Sequence, residues 1–173
     1  MTLNIVIMLR ILSLSLALIL PLTLAGCSKN AVSADLQEAA NNTRQFNAEL
    51  AAELGADDYG MRSYVMVVLK TGPMDSKITN EEERAKIFSG HFSNMTKLAE
   101  AKKLVLSGPF VEGGEKRGLY IFNVPTIAEA ETLVQSDPAV AAGIFVPEFT
   151  KYYGSAALMQ IQDVHKTIQK TKI

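Results

Sequence analysis

Tyr64-Val65-Met66-Val67-Val68-Leu69, closed by Thr71-Gly72-Pro73, is an apolar run of strand length, rich in β-branched residues and ended by turn formers. That pattern predicts a buried β-strand. Downstream, Thr79 and Glu82 stand in Thr-x-x-Glu spacing with three acids in the first turn, so a helix is expected to start there and run to about Lys102. Phe88, Phe92, Met95, Leu98 and Ala99 then share one face at helical spacing. Leu104 to Leu106 reads as a second strand closed by Ser107-Gly108-Pro109, Gly113-Gly114 as a turn, and Leu119-Tyr120-Ile121-Phe122 as a third strand. Thr126 and Glu129 repeat the capping signal and start a helix with Ile127, Ala130, Leu133 and Val134 inward. Asp137-Pro138 reads as N-cap and first-turn proline of a short helix stopped by Gly143. Ile144 to Phe149 supplies a fourth strand, and Pro147 within it argues for an edge position or a bulge.

The order βαββαβ predicts an α+β fold with a ferredoxin-like protomer. Helices on one sheet face leave the other apolar and uncovered. A second copy covers such a face most simply, so a homodimer is expected.

Upstream, Arg10 is the only charge before the apolar stretch Ile11 to Leu24, which the small residues Ala25 and Gly26 close. A basic start, a short apolar stretch and a small-residue cleavage site describe a secretory signal peptide; the alternative is an uncleaved N-terminal anchor. Leu24-Ala25-Gly26-Cys27 resembles the lipobox of bacterial lipoproteins, in which the cysteine is diacylated and becomes the new N-terminus. That resemblance implies export and lipid anchoring at Cys27 in a bacterial cell envelope, and Ser28 points to the periplasmic face of the outer rather than the inner membrane. Cys27 is the sole cysteine, so its lipidation leaves no thiol for a disulfide or a metal. The chain divides into a signal peptide at residues 1–26, an anchor cysteine, tether and arm helix at 27–60, a domain at 61–158 and a C-terminal helical extension at 159–173. The arm helix is expected over Asp35 to Leu54 with Gly55 at its C-terminal end, and the extension carries Leu158, Ile161, Val164 and Ile168 at helical spacing. A formal net charge of −1 shows no basic excess, so a nucleic-acid partner is not expected.

The chain has two histidines. His165 stands beside Lys166 in the basic C-terminal helix and reads as a surface residue. His91 lies about 60° from Phe88 and about 40° from Met95 around its helix, inside the apolar arc. Gly90 beside it leaves room for the imidazole. Asp137 is the candidate partner, and its capping role is compatible with a second oxygen offered outward. Two readings stay open for His91: an acid–base group, or a core histidine braced by one hydrogen bond.

The stretches Gly90-His91-Phe92, Lys103 through Phe110, Gly118 through Phe122, Glu129-Ala130, Asp137-Pro138 with Ala142-Gly143, and Tyr153 through Leu158 resemble the YciI-like (YCII-related) family. Members are small dimeric α/β-barrel proteins with a ferredoxin-like protomer, and the resemblance covers residues 61–158. The flank Leu54 through Gly60 resembles lipoprotein members. The resemblance implies that His91 and Asp137 form an active-site dyad in a cleft. It also implies kinship with muconolactone isomerase-like barrels and with a dehydrochlorinase acting on chlorinated hydroxyquinols. Members often carry Pro-Trp where this chain has Lys151-Tyr152, and the chain has no Trp, which removes an indole from the pocket rim.

A carboxylate on one imidazole nitrogen fixes the tautomer and stabilises the imidazolium, so the free nitrogen can move a proton. Hydroxyls of Tyr64 or Ser107, and backbone N–H groups near Gly108 or Gly72, are candidates to steady an oxyanion on a small-molecule ligand. His-x-x-x-His and His-x-x-Glu spacings are missing, and Gly113 through Gly118 fits no phosphate loop, so no metal or cofactor is expected. The expected function is a cofactor-independent lyase or isomerase. The alternative is a small-ligand-binding or structural envelope lipoprotein in which the pair braces the core.

Overall fold

Residues 45–171 are described by the computed structural model. The signal segment, Cys27, the tether and the first part of the expected arm helix lie outside the described residues. The elements are α1 (Ala48–Leu54), β1 (Met61–Thr71), α2 (Glu81–Glu100), β2 (Leu104–Pro109), β3 (Lys116–Phe122), α3 (Ile127–Gln135), α4 (Pro138–Ala141), β4 (Phe145–Ser155), a 3-10 turn (Ala156–Gln160) and α5 (Ile161–Ile168). The four strands form one antiparallel sheet in the order β2-β3-β1-β4. This is the expected α+β, ferredoxin-like βαββαβ arrangement. Among the described residues no helix is long and apolar enough to cross a membrane.

β1 holds the centre because its apolar residues serve both faces. Val65, Val67 and Leu69 point under the helices into the main core with Leu104, Tyr120, Phe122, Ala130, Val134 and Ile144. Tyr64 points to the other face, where it joins Val105 and Ile121, with Met66, Leu106 and Leu119 half-buried beside them. Period-two alternation produces this division, and each fully buried aliphatic side chain contributes about 1.5–3 kcal/mol.

Several boundaries differ from expectation. Asn80, not Thr79, caps α2, its side chain accepting the Glu83 N–H at 2.8 Å. Asparagine is at least as good a cap as threonine, so the capping pattern sits one residue later. β2 runs through Ser107-Gly108-Pro109; turn formers survive there because β2 is an edge strand. β4 continues past Phe149 to Ser155, pairing with the whole of β1 from Thr71↔Phe145 to Met61↔Ser155. Its outer half carries no apolar run, and the pairing with a central strand extends it. Pro147 faces Leu69 on this edge strand, as its missing N–H requires.

The ends of the domain are tied down by side chains. Gly55 closes α1 in the left-handed region at φ 64°, as expected, and Arg62 donates to Leu54 O at 2.6 Å and to Asn123 Oδ1 at 2.7 Å. Asp75, in the loop after β1, bridges Arg84 of α2 at 2.5 Å and Arg117 of β3 at 3.0 Å. The C-terminal segment opens with the 3-10 turn, whose Leu158 and Met159 pack on the otherwise uncovered sheet face. Gln162 of α5 donates to Val105 O at 3.3 Å, which occupies part of the β2 edge.

Candidate functional site

The site is built where α2 meets α4. A Cβ on Gly90 would lie 2.9 Å from Pro138 Cγ, so the glycine lets the two backbones approach. This corrects the expected role of Gly90: the space it leaves is filled by Pro138, not by the imidazole. Pro138 is the first residue of α4, and Asp137 is its cap, accepting the Ala139 N–H on Oδ1 at 2.9 Å. His91, next to Gly90, therefore arrives beside the Asp137 carboxylate. Nδ1 lies 2.7 Å from Oδ2 and 2.9 Å from Oδ1.

Tyr120 completes the cluster from β3. Its hydroxyl donates to Asp137 Oδ2 at 3.0 Å and stands 3.4 Å from each ring nitrogen of His91. Phe88, Phe92 and Phe145 surround the imidazole, with ring centres 5.9, 5.3 and 5.5 Å away. The cluster is nearly sealed, with His91 6% exposed, Asp137 1% and Tyr120 3%. Phe92 is the open wall at 44% exposure.

Burial pushes the Asp137 carboxyl up, but the His91 hydrogen bond and charge, the Ala139 N–H and the Tyr120 hydroxyl outweigh it and hold the group below the usual carboxylate range. Burial, then the neighbouring Asp137 charge, pushes the Tyr120 phenol well above its ordinary value. An ionised carboxylate only accepts, so the proton between the pair belongs to Nδ1. In the neutral imidazole Nε2 is then the unprotonated nitrogen. Among the described residues its nearest hydrogen-bonding group is the Tyr120 hydroxyl at 3.4 Å.

The structure thus brings His91 and Asp137 together. Ser107 pairs with Tyr120 across β2 and β3, so it stands on the same face of the sheet as the dyad. Tyr64 and Gly108 do not join them, which corrects the expected pocket. Tyr64 lies on the opposite face with its hydroxyl donating to Ser155 O at 3.0 Å, and Gly108 pairs with Leu119 of that face. Strand parity separates them. The Gly72 N–H is already committed to Ile144 O at 2.7 Å, so it is no oxyanion donor. His165 is exposed on α5, as expected. Tyr152, in the place of the family's Trp, lies over Gly154, where a Cβ would meet its ring at 2.4 Å. A surface hollow of about 350 Å³ lined by Asp57, Arg62, Asn123 and Tyr153 includes neither His91 nor Asp137.

Sequence reasoning missed Tyr120. The strand pattern of Leu119 to Phe122 holds Tyr120 without showing where its hydroxyl goes. The alternation that turns Phe122 inward turns Tyr120 inward too, and a buried phenol needs a hydrogen-bond partner. That was the available signal.

Residues 64–148 match the YCII-related domain family. The matched span, just under half of the chain, contains His91, Ser107, Tyr120 and Asp137. The solved structure of 5-chloro-2-hydroxyhydroquinone dehydrochlorinase from Burkholderia phenoliruptrix AC1100, in complex with 2,5-dihydroxybenzoquinone, is a distant likeness at 16% identity. It covers 51% of this chain and 90% of its own, with a TM-score of 0.36. No match among curated proteins reaches significance. Within the matched span both members of the dyad sit on helical elements above the sheet: His91 inside α2 and Asp137 at the cap of α4.

Proposed function

We propose that the YCII-related domain is a cofactor-independent acid–base catalyst, a lyase or isomerase acting on a small cyclic or enolisable compound. The observation that carries the reading is the orientation of the dyad: Asp137 holds Nδ1 at 2.7 Å and leaves Nε2 uncommitted. In this reaction Nε2 takes a proton from a carbon beside a carbonyl, and the carboxylate stabilises the imidazolium that forms. In an isomerisation the same nitrogen returns the proton to another carbon. In an elimination the electron pair left behind forms the double bond as the leaving group departs. Ser107 shares the sheet face of Tyr120, which supports assigning its hydroxyl as the donor to the oxyanion.

The working unit in this reading is a homodimer joined through the uncovered sheet face, where Met66, Leu106 and Leu119 remain half-buried. It is tethered at lipidated Cys27 to the envelope of a bacterium, on the strength of Leu24-Ala25-Gly26-Cys27. A second reading is favoured by the 6% exposure of His91: the pair braces the core, and the protein binds a small ligand without turnover.

Solvent deuterium exchange into a panel of lactones, cyclic ketones and quinols separates the two. Catalysis predicts exchange by the native chain and a loss on the order of 10²–10⁴-fold in His91→Gln. No exchange over the panel, with His91→Gln only lowering the melting temperature, leaves the bracing role.

A further inference from the structure

Tyr120 O is 3.4 Å from Nδ1 and 3.4 Å from Nε2 of His91. An oxygen equidistant from both ring nitrogens lies on the plane that bisects them. The rings are inclined by only 26° but their centres stand 6.2 Å apart, so the phenol is displaced sideways and its oxygen lies toward the Cε1 edge of the imidazole, between the two nitrogens. The hydroxyl therefore meets neither the Nδ1–H nor the Nε2 lone pair along its own direction, and its single proton goes to Asp137 Oδ2 at 3.0 Å. Two donors other than His91, the Tyr120 O–H and the Ala139 N–H, share the carboxylate charge.

A buried carboxylate left to one imidazole alone stabilises the imidazolium, and an imidazolium cannot take a proton from a substrate. We propose that Tyr120 is a positioning residue that tunes the dyad: by donating to Asp137 it draws charge away from His91, so that the ring stays neutral with its proton on Nδ1 and Nε2 free. The consequence for catalysis rests on the acid–base reading above; the tuning itself does not. The groups facing the ring are Asp137 from the α3–α4 junction, Tyr120 from β3, Phe145 from β4, and Phe88 and Phe92 from α2 itself. Arg84 lies over Phe88, 5.3 Å from the centre of that ring, and is paired with Asp75. Asp137 is thus the one carboxylate among these groups, and Tyr120 the one side chain besides His91 that donates to it.

The test is a pH series of imidazole ¹⁵N spectra on the full chain in detergent micelles. It compares native protein, Tyr120→Phe, and protein grown with 3-fluorotyrosine, whose O–H is a stronger donor. The exposed His165 is an internal control whose transition stays in place. The protonation transition of His91 is expected at higher pH in Tyr120→Phe, by about three- to tenfold in the protonation equilibrium, and at lower pH in the fluorinated protein. Opposite movements of this kind are not produced by a packing role. An unmoved His91 transition in both, or movement in the same direction in both, overturns the proposal. If Tyr120→Phe does not fold, the fluorinated protein decides alone: a lower transition supports the tuning and an unmoved one overturns it. A panel without turnover but with the two opposite shifts leaves the tuning standing and removes the catalytic reading.

Discussion

At Asp137 one carboxylate caps α4 through the Ala139 N–H, orients His91 through Nδ1 and receives the Tyr120 hydroxyl, all within 3.0 Å. Asp137→Ala removes the cap and strands two buried donors, so a loss on the order of 3 kcal/mol is expected, measured by urea denaturation. The pH dependence follows from the direction of the shift. The folded-state value of Asp137 lies below the ordinary 3.8, so the native state binds fewer protons than the unfolded chain in acid. Its contribution is therefore complete above the unfolded value and is lost as pH falls through the folded one. The native protein should lose stability below about pH 4, and Asp137→Asn should lose less over the same range; equal slopes in acid would contradict the assignment. Tyr120 acts at the other end. Its folded value lies above the ordinary 10.0, so its contribution is complete below that pH and is withdrawn in stronger base. Of this site, His91 and Asp137 were legible in the residues because helical arc and capping are local patterns. Tyr120 was not, because its partner lies on another element.

At the scale of elements, the approach of α2 to α4 governs whether the dyad exists. Gly90→Ala sets two effects against each other. Alanine favours the helix by about 1 kcal/mol, yet its methyl would meet Pro138 Cγ at 2.9 Å. A proline ring carbon on a helix N-terminus has little freedom to retreat, and overpacking costs about 1–3 kcal/mol. The clash wins in this balance. The variant should melt lower and show a weakened Nδ1–H resonance for His91 in proton NMR; an unchanged resonance would mean that the helices approach for another reason. The sheet edges were read in part. Pro147 argued for an edge or a bulge in β4, and the strand order makes it an edge, whereas the cover that Gln162 gives β2 depends on where the chain returns after β4.

For the whole molecule, the sheet face opposite the helices sets the expectation. Leu158 and Met159 cover part of it, while Met66, Leu106 and Leu119 stay half-buried at its middle. If two copies meet there, Leu119→Lys places a charge in the joint and should convert dimer to monomer by sedimentation velocity, with the ¹⁵N spectrum of His91 unchanged on the other face. A monomeric native protein would remove the dimer from the proposed working unit. The sequence by itself determined the order βαββαβ, the inward arc of His91 and the capping position of Asp137. Each rests on spacing within one element, and side-chain direction repeats every 3.6 residues in a helix and every two in a strand. Only the tertiary structure decided that these two residues meet, that Tyr120 joins them and that Tyr64 faces away. Those outcomes depend on strand register and on the distance between helices, which pairing and packing across the chain set and no local pattern contains.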